Sequence, residues 1–330
     1  MKAWREATSL IIAAKNAAKS SESYDYALLL LKRSQKTSFA GAFVFPGGLV
    51  ESADADLKWH NIFQHQHLNG RTFESLFYNL KDRPVIFHKK NNQLPREVSL
   101  RISAIRETFE ECGVLFCQQI DGTQESETYP ISGELLNFWQ QKVHNDASEF
   151  YNMCSTLKCF PNIWALQEWG NWLTPTYIPA KSRFNTAFFF TSLGKLPNTQ
   201  IDHNEVDELL WAQPQQVLNS HDSWLPPPQM YEISSIADYH KIEDLKEFAL
   251  KKAKIGAIQF FPVRILLRDG IVVVLPGDSM YPTQVNFHEN EVIEKLDMTV
   301  EEFRNISTNI HRTEIFDDSK EIKILLPSKL

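Results

Sequence analysis

Arg106-Glu107-Thr108-Phe109-Glu110-Glu111-Cys112-Gly113-Val114 is the stretch on which the fold turns; it reads R-E-x-x-E-E-x-G followed by an aliphatic residue. On a helix, Glu107, Glu110 and Glu111 fall at i, i+3 and i+4, so three carboxylates leave one face. Like charges in that arrangement are destabilising unless a cation sits among them. Hard oxygen donors on a rigid helix suit Mg²⁺ or Mn²⁺. The competing reading is a solvated charged face. Against it, Ile102, Ile105 and Phe109 supply a separate apolar stripe on a helix predicted over 96–112 and stopped by Gly113.

Upstream, Phe43-Val44-Phe45-Pro46 lead into Gly47-Gly48, and Asp54 follows six residues after Gly48. The two pieces together resemble the Nudix box, G-x5-E-x7-R-E-U-x-E-E-x-G-U, where U is aliphatic. The match is split: residues 55–105 lie between Asp54 and Arg106, where the signature has seven. Thr108 occupies an aliphatic position, and Asp54 stands where the family usually has Glu. The resemblance implies an α/β fold, the Nudix α/β/α sandwich around a mixed sheet, with an insertion inside the box. It also implies a bound metal and hydrolysis of a nucleoside diphosphate linked to another group. With the insertion intervening, Asp54 is expected to be solvated and not a ligand.

Leu28-Leu29-Leu30-Leu31-Lys32-Arg33-Ser34 and the Gly41 to Gly48 segment are similar to an N-terminal element of coenzyme A-cleaving Nudix enzymes. The spacing is about one residue short, and Lys36 is the basic residue near the place of a second arginine. Trp172-Leu173-Thr174-Pro175, Arg183-Phe184-Asn185-Thr186, Glu205 to Trp211, Leu225 to Tyr231 and Leu275 to Asp278 resemble the peroxisomal acyl-coenzyme A diphosphatase branch, in which Asn185 is usually Asp. The implied substrate is coenzyme A or acyl-coenzyme A, and the implied products are 3′,5′-ADP and (acyl-)4′-phosphopantetheine. The implied cofactor is Mg²⁺ or Mn²⁺ on Glu107, Glu110 and Glu111.

Glu110 or Glu111 is also a candidate base. Glu205 is the alternative base, as readily a surface loop charge. Arg106 would fix the rotamer of a box carboxylate. Gly47 and Gly48 permit backbone geometry that other residues resist. They join Arg33 and Arg183 in the candidate substrate-binding set, because a guanidinium fork suits phosphate; structural pairing is nearly as good a reading of each arginine. A Nudix hydrolase for NADH, ADP-ribose or another nucleoside diphosphate is the alternative, since the box reads only the diphosphate. A catalytically silent Nudix-fold binding module is disfavoured by the presence of all three carboxylates.

The remaining sequence sets bounds. A chain of 330 residues can hold one large or two modest domains. The expected division is a Nudix domain over 1–235, with the insertion at about 55–95, and a C-terminal α+β extension over 236–330. A net charge of −7 argues against an extended nucleic-acid-binding face. No apolar run approaches the roughly 20 residues of a membrane span. The four cysteines, Cys112, Cys117, Cys154 and Cys159, form no C-x-x-C, and no zinc-type spacing is evident. They point to a reducing compartment, with Cys112 simply buried. Ser328-Lys329-Leu330 at the C-terminus is a peroxisomal address, implying an import receptor as partner and the peroxisomal matrix as location.

Periodicity predicts strands at 7–14, 24–31, 184–193 and 208–211, and helices at 133–143, 147–158, 240–254 and from Pro214. Tyr24 to Leu31 is almost continuously apolar, as befits a strand covered on both faces. A hairpin is expected across 263–275 with Asp269-Gly270 at its turn. Residues 121–131 read as a loop, and Pro226 to Pro228 as a chain break. Trp59, Phe63, Phe73, Phe77 and Tyr78 in the insertion predict helical pieces packed on the main body, with a lid as the alternative.

Overall fold

The computed structural model describes residues 4–16, 23–35, 39–64, 72–77, 82–122, 126–179, 181, 183–220, 224–288, 292–318 and 321–327. They form two compact units. The larger comprises 6–170 and 186–257, and the smaller comprises 1–5, 171–185 and 258–330. Residues 236–257, sequence-assigned to the extension, belong to the larger unit.

The strands run β1 (Arg5–Lys15), β2 (Tyr26–Arg33), β3 (Phe43–Val44), β4 (Cys117–Gln119), β5 (Cys159–Pro161), β6 (Gln167–Leu173), β7 (Phe184–Leu193) and β8 (Val206–Ala212). After them come β9 (Gln259–Phe260), β10 (Val263–Leu267), β11 (Gly270–Val274), β12 (Val292–Lys295), β13 (Arg312–Phe316) and β14 (Ile322–Leu325). The helices are α1 (Trp59–Gln64), α2 (Arg96–Cys112), α3 (Gly133–Asn145), α4 (Glu149–Leu157), α5 (Pro214–Leu218), α6 (Pro227–Ile236), α7 (Ile242–Ile255) and α8 (Val300–Asn305).

In the larger unit the strand order is β3-β2-β1-β7-β6, with β8 also paired to β2. β2 lies inside the sheet with three strand partners, and its apolar run reflects cover on both faces. Antiparallel β1 meets it at Ala13↔Leu28, β3 at Leu31↔Val44, and β8 from Leu28↔Ala212 to Arg33↔Val206. Consecutive residues of β7 face opposite layers, as the period of two requires. The Phe189 ring lies 4.9 Å under the Arg101 guanidinium of α2. Its neighbour Phe190 packs at 5.4 Å on Trp169, which in turn contacts Phe248 of α7 at 5.5 Å and bonds Glu232 of α6 at 2.6 Å. Helices therefore cover both faces of the sheet, the expected sandwich.

Helix α2 matches its sequence bounds, and every residue in it except Glu97 is buried. A helix this polar is buried all round because the insertion wraps it. It packs against α3 and against 3-10 turns at 52–55, 73–76, 85–87 and 163–165. Trp59, Ile62, Phe63, Leu76, Ile86 and Phe87 of the insertion lie in the same core as Ile102, Ile105 and Phe109. Packing on the body is thus the observed arrangement, through one short helix and three-residue or four-residue turns. The proline run does not break the chain: Pro227 opens α6, where a missing N–H and a fixed φ do no harm.

In the smaller unit β12-β10-β11-β13-β14 form a five-stranded sheet, parallel only between β10 and β12. The hairpin pairs Leu267 with Gly270, so Arg268 and Asp269 are its turn and Gly270 begins β11. Val263, Ile265, Leu267, Val272, Val274, Val300 and Phe303 form its core, giving α8 on a sheet. In the same unit β9 pairs in parallel with Asn171 and Trp172.

Candidate active site

The Phe-Pro-Gly-Gly segment lies along β1. The Leu10 amide donates to the Pro46 carbonyl at 2.8 Å, Thr8 to Gly48 at 2.9 Å, and Val50 to Glu6 at 3.1 Å. Gly47 has φ +150°, and a Cβ there would meet the Thr8 carbonyl at 2.1 Å, so only glycine fits the close approach. Gly48 faces the helix: a Cβ on it would lie 2.3 Å from Glu107 Oε2. The Gly47 amide donates to Glu111 Oε2 at 2.8 Å. One turn therefore touches two of the three box glutamates.

Arg106 is buried at the centre of the cluster. Its Nε donates to Asp54 Oδ1 at 2.7 Å and its Nη2 to Asp54 Oδ2 at 2.9 Å. Nη1 donates to Glu107 Oε1 at 2.9 Å and Glu110 Oε1 at 2.5 Å, while Nη2 also reaches the Leu49 carbonyl at 2.8 Å. The sequence expectation for Asp54 is overturned: it is 1% exposed and pairs in bidentate fashion with Arg106. The physical reason is that the insertion loops out from a closed neck. The Leu94 amide donates to the Ala55 carbonyl at 2.9 Å, so the chain leaves and returns at one point and the halves of the box stay together. The spacing of Asp54 from Gly48 was the signal available in the sequence.

The end of α2 is held from outside. Gly113 takes the left-handed conformation at φ +71° and donates to Phe109. Gln200 and Asp202 amides donate to the carbonyls of Cys112 and Glu111, at 2.9 and 3.1 Å. Buried Gln140 of α3 donates to the Glu110 carbonyl at 3.0 Å. These contacts fix the turn that carries Glu110 and Glu111, and no sequence pattern announced Gln140. The loop they belong to continues to Glu205, which is half-buried and close enough to Glu111 to raise its pKa. The Glu205 carbonyl accepts from the Ser34 amide at 2.8 Å, beside Arg33. Arg33 Nη1 lies 3.6 Å from Glu111 Oε1.

The larger unit thus brings together Arg33, Gly47, Gly48, Arg106, Glu107, Glu110, Glu111 and Glu205. Arg183 belongs to the smaller unit, where its guanidinium lies 5.4 Å over the Trp4 ring.

Burial dominates the electrostatics. It pushes the Glu107 carboxyl up to about 8, with Arg106 pulling it down and Glu110 and Asp54 adding to the rise. Burial likewise carries Glu110 to about 7 against Arg106, and Glu111 to about 8 against Arg33. Burial also opposes the charge on Arg106, yet Asp54, Glu107 and Glu110 hold it protonated, well above its ordinary value. Fully ionised, with Asp54, the four carboxylates would face two guanidiniums and leave an excess of two negative charges for a cation to balance. Oε2 of Glu107 and Oε2 of Glu110 accept no hydrogen bond from a described group, whereas Glu111 turns to Gly47 and Arg33. Unengaged hard oxygens with that charge deficit fit a divalent cation.

A helical R-E-x-x-E-E-x-G run joined to a Gly-Gly turn through a buried Asp–Arg pair, on an α/β/α sandwich, defines the Nudix class. A family model described as the NUDT19 Nudix domain matches residues 4–236, and one described as the NUDT19 C-terminal domain matches 264–324. The chain belongs to the NUDT19 family of Nudix proteins. It is 34% identical over 359 residues to acyl-coenzyme A diphosphatase NUDT19 of Xenopus laevis, covering 100% of this chain and 94% of that protein. To the Homo sapiens protein of the same name it is 35% identical over 316 residues, with 87% and 83% covered. A NUDIX hydrolase from Alicyclobacillus acidocaldarius shares the fold at TM-score 0.56 and 21% identity, over 78% of this chain and 99% of that one. The family's need for a divalent cation agrees with the charge deficit of the cluster.

Proposed function

We propose that the chain hydrolyses the diphosphate of coenzyme A and acyl-coenzyme A, yielding 3′,5′-ADP and (acyl-)4′-phosphopantetheine. The observation that carries the reading is the rejoined box: Asp54 and Gly47-Gly48 meet Arg106, Glu107, Glu110 and Glu111 across the insertion. The name carried by relatives that align with nearly the whole chain supports the substrate class. Mg²⁺ or Mn²⁺, held by Glu107, Glu110 and Glu111, would neutralise the diphosphate and lower the pKa of a bound water.

The protein's own groups have separable tasks. Arg106 holds Glu107 and Glu110 in fixed rotamers and is itself fixed by Asp54. Gly47 and Gly48 keep the turn thin enough for Glu107 and Glu111 to reach past it. Arg33 would pair with a phosphate oxygen once Glu111 is engaged elsewhere. Glu205, off the helix and beside Glu111, would accept a proton from the attacking water.

The test is product identification by chromatography after incubation with coenzyme A, acyl-coenzyme A, NADH and ADP-ribose, each with Mg²⁺ or Mn²⁺. Release of 3′,5′-ADP from the coenzyme A substrates supports the proposal. Preferential cleavage of NADH or ADP-ribose overturns it in favour of another Nudix substrate class. The peroxisomal matrix is the proposed location. It rests on Ser328-Lys329-Leu330, which lie outside the described residues. Removing those three residues is expected to leave a tagged protein in the cytosol; unchanged peroxisomal puncta would defeat the idea.

A further inference from the structure

Cys117, Cys154 and Cys159 are all fully buried, and their sulfurs lie within 4.8 Å of one another. Sequence spacing gave no hint of this, because the three meet through tertiary structure. Lys158 ends α4 in the left-handed conformation at φ +51°, its amide on the Cys154 carbonyl, and this folds Cys159 back against Cys154. Cys117 arrives on the antiparallel partner strand, where Cys117 pairs with Pro161 and Gln119 with Cys159. Side chains two residues apart in such a register share a face.

We propose that these three thiols form a binding site for a soft d¹⁰ metal ion such as Zn²⁺ or Cu⁺. Thiolates select such ions over Mg²⁺ and Mn²⁺. A metal–sulfur bond of about 2.3 Å places the sulfurs of a trigonal or tetrahedral set about 4 Å apart, so this cluster needs only a small contraction. A Cys117–Cys159 disulfide fits less well. Diagonal neighbours in an antiparallel pair have Cα atoms roughly 7–8 Å apart, at or beyond the ~7 Å limit for bridging Cys117 to Cys159. The fourth cysteine, Cys112, stands apart at the end of α2, its thiol donating to the Thr108 carbonyl at 3.0 Å, and serves as an internal control. Bound metal would tie α4 to the β4–β5 pair; α4 and β5 both pack against α1 of the insertion.

The site is chemically distinct from the carboxylate cluster, so the two can be tested apart. Full-length protein, reduced and stripped of metal, is supplied with millimolar Mg²⁺ and titrated with Cd²⁺ as probe. The expected result is one equivalent bound with a sulfur-to-metal charge-transfer band in the ultraviolet. Binding should weaken at least roughly tenfold in Cys154→Ser and in Cys159→Ser, and stay unchanged in Cys112→Ala. Parallel titrations with Zn²⁺ and Cu⁺, followed by metal analysis, identify which ion is held. Absence of the band in the unaltered protein overturns the proposal even if the variants fail to fold. So does Cd²⁺ binding in Cys154→Ser as tight as in the unaltered protein, or a thiol count below four in protein kept under reductant. None of these readouts depends on diphosphate turnover.

Discussion

Asp54→Asn probes the rejoined box most directly. Asp54 Oδ1 accepts from Arg106 Nε, and Oδ2 accepts from both Arg106 Nη2 and the Glu51 amide. Asparagine keeps the shape but offers only one acceptor oxygen. At least one of the three donors would therefore face an amide NH₂, and one of the charges compensating a fully buried guanidinium would be lost. Removing one partner of a buried ion pair costs about 3–5 kcal/mol. Arg106 retains Glu107 and Glu110, which favours the lower end, about 3 kcal/mol. At about 2 °C per kcal/mol for a chain of this size, the melting transition should fall by about 6 °C. Because Arg106 also positions two metal-facing glutamates, turnover should drop roughly 10–100-fold. Asp56→Asn is the matched control: exposed Asp56 lies 3.8 Å from half-buried Lys58, and surface pairs of this kind contribute about 0–1 kcal/mol. Denaturant unfolding and steady-state turnover with Mg²⁺ supply both numbers. If Asp54→Asn and Asp56→Asn behaved alike, each within about 0.5 kcal/mol of the parent and fully active, Asp54 would be a solvated residue and the box would not be joined as described.

Glu111→Gln should fold, since an amide oxygen can still accept from Gly47, but metal-dependent turnover should fall by orders of magnitude; near-native rates would remove Glu111 from the metal set. Gly48→Ala pushes a methyl to 2.3 Å from Glu107 Oε2, so activity should suffer more than thermal stability, and a fully active variant would show that Glu107 can move aside. The pH dependence has a defined sign. The folded-state values of about 8, 7 and 8 for Glu107, Glu110 and Glu111 lie above 4.5, so the folded chain keeps protons that the unfolded chain releases. Their contribution to stability therefore falls as pH rises from about 4.5 to 8. Chelator-treated protein should melt lower at pH 8 than at pH 6, and saturating Mg²⁺ should narrow or reverse that gap in a calorimetric or dye-based melt. By the same linkage, metal affinity should weaken about tenfold per pH unit for each ligand carboxylate protonated below these values.

What the sequence disclosed follows from how local each signal is. Helix α2 was legible because its carboxylate face, apolar stripe and terminal glycine all lie within residues 102–113. Strand β2 was legible from a continuous apolar run, and β7 from its aromatic and β-branched residues. Asp54 was misread because its burial depends on a closure between Ala55 and Leu94 that no periodicity encodes. Gln140 was missed for a related reason: its amide bonds backbone carbonyls on another helix, and backbone carbonyls have no sequence signature. The cysteine cluster escaped spacing rules because one member arrives by strand pairing. Pro227 was taken for a stop although a helix can begin on proline.

The neck between Ala55 and Leu94 carries a topological consequence. A single hydrogen bond marks the place where some forty residues depart and return, so no covalent path through them is needed to hold Asp54 against Arg106. The centre is, in effect, a contact between two stretches of chain that recognise each other through surfaces and charges. It follows that a break in the backbone between Phe77 and Asp82 would leave both stretches intact, each with its share of the aromatic packing. Two separately made fragments could then rebuild the site by association.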